Sequence, residues 1–78
     1  MNKDSEVAAQ EWDAGAMGCG ELVLLLLQRI KKMQPNEIIR LTATDPGARE
    51  DLPAWCAMTG HSLIKADHPQ YWIKRKEA

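Results

Sequence analysis

Seventy-eight residues carrying ten basic and eleven acidic side chains make a single small domain with almost no net charge, which removes any global field that would draw nucleic acid, membrane or an acidic substrate. A chain this short builds a core one layer deep and cannot enclose a deep active-site cavity, so its chemistry belongs at the surface. Met1 to Gln10 has no apolar signal-peptide core, and the longest apolar run, Leu22 to Leu27, is far short of the roughly 20 residues of a membrane span. Two cysteines are too few for a disulfide scaffold, so the expected compartment is the cytoplasm, with both thiols reduced.

In chain order, residues 1 to 5 are expected to be loose, and Val7 to Trp12 is a strand candidate without a clean apolar face. Asp13 to Gly20 holds three glycines and two alanines and reads as a loop. Glu21 to Met33 is Leu-rich and amphipathic. Leu22, Val23, Leu25, Leu26, Ile30 and Met33 share a broad helical face, with Gln28, Arg29, Lys31 and Lys32 near the other side. Gln34-Pro35-Asn36 stops this helix. Ile38 to Thr44 reads as a strand, with Ile39, Leu41 and Ala43 toward a core and Arg40, Thr42 and Thr44 away from it.

Asp45-Pro46 has the form of an N-cap followed by proline at the first helical position, and Gly60 ends a second helix at about Thr59. Pro53 either kinks that helix or delays its regular part until near Asp51. Leu52, Trp55, Cys56 and Thr59 share one face. Ser62 to Ala66 and Tyr71 to Lys76 are strands joined through Asp67-His68-Pro69-Gln70 as a hairpin. The order β-α-β-α-β-β implies an α+β chain with two helices on one face of a mixed four-stranded sheet. The far face is then wet or an interaction surface.

Cys19 is the candidate nucleophile. It lies between Gly18 and Gly20, where the loop feeds the first helix. Free amides at a helix N-terminus favour an anion and so a thiolate, and flanking glycines leave the sulfur uncrowded for transfer between proteins. Glu21 acts against this, because a nearby carboxylate disfavours the thiolate. The alternative is an inert small residue in a glycine loop. Cys56 reads as a buried structural thiol, with a resolving partner for Cys19 as the sharper alternative.

His61 and His68 are expected as surface turn residues, His61 hydrogen bonding near the helix end. With the two cysteines they are separated by 36, 4 and 6 residues, with no local ligand pair, so no metal site is expected. Trp12, Trp55 and Trp72 fall on separate elements, which suits core packing, or one at a partner interface, over base stacking. Arg29, Lys31 and Lys32, with Lys74, Arg75 and Lys76, form two short basic clusters, read as a solvated helix end and a charged edge strand, or as a docking patch for an acidic partner.

Asp13-Ala14-x-x-Met17-x-Cys19-Gly20-Glu21 resembles the opening motif of the TusA/SirA/YedF family, commonly Leu-Asp-Ala-x-Gly-Leu-x-Cys-Pro-x-Pro. Met33-Gln34-Pro35-Asn36-Glu37, Thr44-Asp45-Pro46, Asp51-Leu52-Pro53-x-Trp55-Cys56 and Gly60-His61-Ser62-Leu63 resemble later parts of the same pattern, so the likeness runs from about Trp12 to Lys76. Gly20 and Leu22 stand where the family has prolines, and Ala16 where it has glycine.

The resemblance implies a single two-layer α/β sandwich domain over residues 1 to 78. It implies a sulfur carrier that accepts a persulfide sulfur on Cys19, with Glu21 as the acidic residue of the motif. The implied partners are a cysteine desulfurase or another persulfide donor and an acceptor protein leading to tRNA thiolation or sulfur metabolism. No cofactor, metal, membrane or direct nucleic-acid contact is expected. A second expectation is a non-catalytic adaptor on the same fold, in which the altered motif marks lost sulfur transfer. A third is an RNA-binding module, by analogy of fold with the C-terminal domain of translation initiation factor 3.

Overall fold

Alternation along Ile38 to Ala43 organises the molecule. In the computed structural model, which describes residues 8–77, this segment is β2 (Ile38–Ala43), the strand between β1 (Gln10–Gly15) and β4 (Gln70–Lys74). The remaining elements are α1 (Cys19–Lys31), α2 (Ala48–Thr59) and β3 (Ser62–Asp67). The sheet order is β1-β2-β4-β3. β1 runs parallel to β2, as a crossover through α1 requires, while β4 is antiparallel to both of its neighbours.

Register decides which side chains meet. Gln10, Ile39, Ile73 and Leu63 form one row across the sheet, and Trp12, Leu41, Tyr71 and Ala66 the next row on the same face. Ile39, Leu41, Ala43, Tyr71 and Ile73 from this face join Leu22, Leu26 and Ile30 of α1 and Leu52, Trp55 and Cys56 of α2 in one hydrophobic cluster. Both helices therefore cover the same side of the sheet. The spacing of Leu22, Leu26 and Ile30 lines up one face of α1. Fully burying each such side chain contributes about 1.5–3 kcal/mol. The opposite face carries the row Glu11, Arg40, Trp72 and Lys65. There Arg40 pairs with Glu11 at 2.8 Å and the Lys65 ammonium sits 4.9 Å from the Trp72 ring centre.

Several boundaries differ from the sequence expectation. Val7 lies outside the described residues, and β1 starts at Gln10. The segment Asp13 to Gly20, expected as a loop, is largely regular: β1 continues to Gly15 through pairing with Ala43, and α1 starts at Cys19. An irregularity between Asp13 and Gly15, with Gly15 at φ 60°, turns the chain there. α1 ends at Lys31, and a tighter turn follows in which the Met33 amide donates to the Ile30 carbonyl at 3.0 Å.

α2 begins at Ala48, so Pro53 sits inside it and does not delay its start; it offers no amide to the Arg49 carbonyl. Asp45 still caps the turn that leads in, its carboxylate accepting the Gly47 amide at 3.0 Å. An irregularity between Leu63 and Lys65 turns Ile64 toward solvent. The hairpin turn narrows to His68-Pro69, whose peptide bond is cis.

Beyond β4 the Arg75 backbone still bonds to Glu37 and Asn36, and the side chains of Arg75 and Lys76 serve the helix ends. The Arg75 guanidinium donates to the Met33 carbonyl at 2.8 Å, and Lys76 Nζ to the Thr59 carbonyl at 2.9 Å. Cations at these C-terminal carbonyls satisfy both hydrogen bonding and the helix dipole. Gly60, at φ 90°, closes α2 with its amide on the Cys56 carbonyl at 2.9 Å.

Candidate functional site

Two parallel strands, each followed by a helix on the same face, bring the starts of both helices to one end of the sheet. Cys19 is the first residue of α1, and Gly47 precedes the first residue of α2. The Cys19 thiol donates to Asp45 Oδ2 at 3.4 Å, the same oxygen that holds the Gly47 amide. Gly47 has no side chain to separate these groups. A Cβ placed there would lie 3.0 Å from Asp45 Oδ2, 3.6 Å from Asp51 Oδ2 and 3.7 Å from Cys19 Sγ. Sulfur and two carboxylates thus surround one point between the helix starts.

This arrangement reverses the expected ionisation. Burial, then hydrogen bonding and charge from Asp51 and Asp45, push the Cys19 thiol up to about 12. A helix start carries about half a positive charge, which two full carboxylates and desolvation outweigh. Cys19 therefore rests as the neutral thiol at neutral pH. The carboxylates that bear on it come from the second helix start, whereas Glu21 is exposed on the first turn of α1.

Access remains open. A shallow groove of about 300 Å³ reaches Cys19 between Gly20, Val23, Asp51, Ala54 and Met58. A Cβ at Gly18 or at Gly20 would meet nothing within 4 Å. Leu24 and Met58, 57% and 78% exposed, stand on the two helices that frame this groove. The missing motif prolines leave the helix start intact: the Leu22 amide donates to the Gly18 carbonyl at 2.8 Å, and Leu22 is fully buried in the core.

Behind the sulfur, buried Tyr71 of β4 meets His68 Nδ1 through its hydroxyl. Burial pushes the Tyr71 hydroxyl up, Arg49 opposes this and a charge on Cys19 adds to it. His68 is half-buried on Tyr71, which corrects its expectation as a surface turn residue. His61 is corrected more strongly. It is 9% exposed, packs on Trp55 with ring centres 5.5 Å apart and accepts the Lys76 amide on Nδ1 at 3.1 Å. Aromatic surface was available for it because Gly60 turns the chain back over the end of α2.

Cys56 is 3% exposed in the core, and burial pushes its thiol up to about 11, as suits a structural thiol. Both cysteines are free. The basic clusters divide. Arg29 stacks on Trp12 at 4.5 Å, with Lys32 lining the same cleft, whereas Lys31, Arg75 and Lys76 line another at the far end of the helices. Among the described residues, no group of three or more His, Cys, Asp or Glu side chains is placed to hold a metal ion, and no helix is long and apolar enough to cross a membrane.

The sequence marks Asp45 as a cap and Asp51 as a helix-start residue, but neither as a neighbour of Cys19. Asp45 lies 26 positions away, and only the parallel pairing of β1 with β2 closes that distance.

Residues 10–75 match the family model described as Sulfurtransferase TusA. The chain is 32% identical over 68 residues to the sulfur carrier protein TusA of Pseudomonas paraeruginosa (strain PA7), covering 82% of this chain and 86% of that one. It is 33% identical over 70 residues to the protein of the same name from Pseudomonas syringae pv. syringae (strain B728a), covering 85% and 83%. The Pseudomonas putida (strain F1) protein of that name is 32% identical over 68 residues, with 82% and 85% covered. Extending over nearly the whole of the fold, these matches make the chain a member of the TusA family of sulfur carrier proteins.

Proposed function

We propose that the chain carries sulfur as a persulfide on Cys19, taking it from a cysteine desulfurase or another persulfide donor and relaying it to an acceptor protein in tRNA thiolation or sulfur metabolism. The observation that carries this reading is a half-buried thiol at the start of a helix with an open groove leading to its sulfur.

In the uptake step a bond forms between Cys19 Sγ and the outer sulfur of the donor persulfide. The donor's own S–S bond breaks, its electron pair stays on the inner sulfur, and the proton lost by Cys19 ends there. Release repeats the exchange with an acceptor thiol. Sulfur is transferred without any external oxidant or reductant, and the protein needs no cofactor. Glu21, exposed on the first turn of α1 two residues from Cys19, is open to an approaching partner. The cytoplasm, where such thiols stay reduced, is the compartment this chemistry requires.

The test is the intact mass after incubation with a cysteine desulfurase, pyridoxal phosphate and cysteine, beside a Cys19→Ala variant. A reductant-reversible gain of about 32 Da, one sulfur, is expected on the natural chain alone. An equal gain on both proteins would move the chemistry to Cys56. No gain on either, with an active desulfurase and folded protein, would overturn a desulfurase-fed carrier.

A further inference from the structure

We propose that Asp45 and Asp51 act as a carboxylate latch on Cys19, holding its sulfur as the thiol until a donor protein brings a cationic side chain against them. The inference rests on the carrier reading above and adds the chemistry of the partner surface that site takes.

Asp45 is fixed in place: the Gly47 amide anchors the same oxygen that accepts the Cys19 thiol. Asp51 projects from the first turn of α2 and lines the groove through which a donor sulfur reaches Cys19. The groups that bear on the sulfur, or feel its charge, come from three places. Asp45 approaches from the β2–α2 connection and Asp51 from α2. Tyr71 lies on β4, with His68 behind its hydroxyl, while Glu21 on the helix of Cys19 itself is exposed and does not bear on the thiol. Arg49 bears on Tyr71, whereas the charges that bear on the thiol are both negative.

A free thiol so placed keeps its proton and stays a poor nucleophile, which spares it from stray oxidants and alkylators. A lysine, arginine or protonated histidine laid against Asp45 and Asp51 offsets the part of the shift that the carboxylates cause, while the part due to burial remains. Attack on the donor persulfide then follows the exchange written above, with the proton passing to the donor's departing sulfur. Docking and activation become one event, so a donor surface without that cation transfers slowly even where its shape fits.

The rate of alkylation of Cys19 by iodoacetamide, with the label located by peptide mass mapping, tests the latch from pH 6 to 11. Asp45→Asn keeps an oxygen for the Gly47 amide, and Asp51→Asn is an independent second variant. Each is expected to bring the rise of rate with pH down from that of the natural chain, whose own inflection at about 12 lies above this range. Alkylation at pH 7.5 then rises about threefold for each pH unit by which that rise moves down, as tenfold more thiolate is partly offset by a weaker nucleophile. A rate profile over this range that is unchanged in both folded variants overturns the proposal.

Disulfide exchange supplies the partner's charge. At low salt, with each rate divided by that of free cysteine on the same disulfide to remove the leaving-group difference, the natural chain is expected to favour cationic cystamine over anionic dithiodiglycolate severalfold, and the double Asn variant to lose that preference. Equal normalised rates on the natural chain overturn the cation requirement. Neither readout involves a persulfide, so the carrier reading stands or falls separately, on the mass experiment.

Discussion

Opposed electrostatic influences meet at Cys19. The amides at the start of α1 favour a negative sulfur, yet the neighbouring helix start presents two carboxylates to the same atom, and the thiol keeps its proton. His61 shows burial acting in the other direction. Desolvation first, then Lys76 and Arg75, hold its imidazole below the usual 6.5, and Nδ1 must stay unprotonated to accept the Lys76 amide. The folded state therefore favours the neutral ring, while the unfolded chain takes up a proton near the ordinary value. This contribution to stability is complete above pH 6.5 and is lost as pH falls through that value toward the depressed folded one. The urea midpoint is expected to drop between pH 7.5 and 5.5, and a His61→Gln variant should show a flatter dependence. A slope unchanged by the substitution would mean that other groups titrate in this window.

Among the elements, α1 and α2 were legible as amphipathic segments with plain stops, and β2 from its alternation. Their ends were less so, because pairing and capping partners from distant residues set them. β1 continues to Gly15 only because β2 is there to receive it, and the helix C-termini are closed by Arg75 and Lys76, which follow β4. Two glycines on these helices predict opposite outcomes for one substitution. Gly20 sits within the first turn of α1 with open space around its Cα, so Gly20→Ala is expected to stabilise by about 0.5–1 kcal/mol. Gly60 holds φ 90°, and a Cβ there would lie 3.2 Å from Lys76 Cδ, so Gly60→Ala is expected to destabilise by about 1 kcal/mol or more. Paired thermal melts check both signs.

For the whole molecule, one hydrophobic cluster joins both helices to β2 and β4, with Trp12 and Ala14 of β1 and Leu63 of β3 packed against it. Trp12 on β1, Trp55 on α2 and Trp72 on β4 report from three separate elements of that structure. Urea unfolding followed by tryptophan fluorescence and by far-ultraviolet circular dichroism is expected to give coincident single transitions. Separated transitions would show that an edge of the sheet opens independently. The charged layout is also a whole-molecule property: the carboxylates gather at the helix starts, while Lys31, Arg75 and Lys76 gather at the other end of α1, whose 13 residues span about 20 Å.

The amino-acid sequence by itself determined the order β-α-β-α-β-β, the apolar faces that build the core, and Cys19 at the mouth of a helix, because periodicity, glycine and proline act over a few neighbouring residues. The ordered motif pieces also carried the family, which needs only residue identities and spacing. Tertiary structure decided the ionisation of that cysteine and the burial of His61 and Tyr71. It also decided the use of Arg75 and Lys76 as helix-end ligands. Each of these depends on groups far apart in the chain that meet only when β1 pairs with β2 and the two helices start side by side, and at that junction proximity of charge outweighs the local preference of a helix terminus.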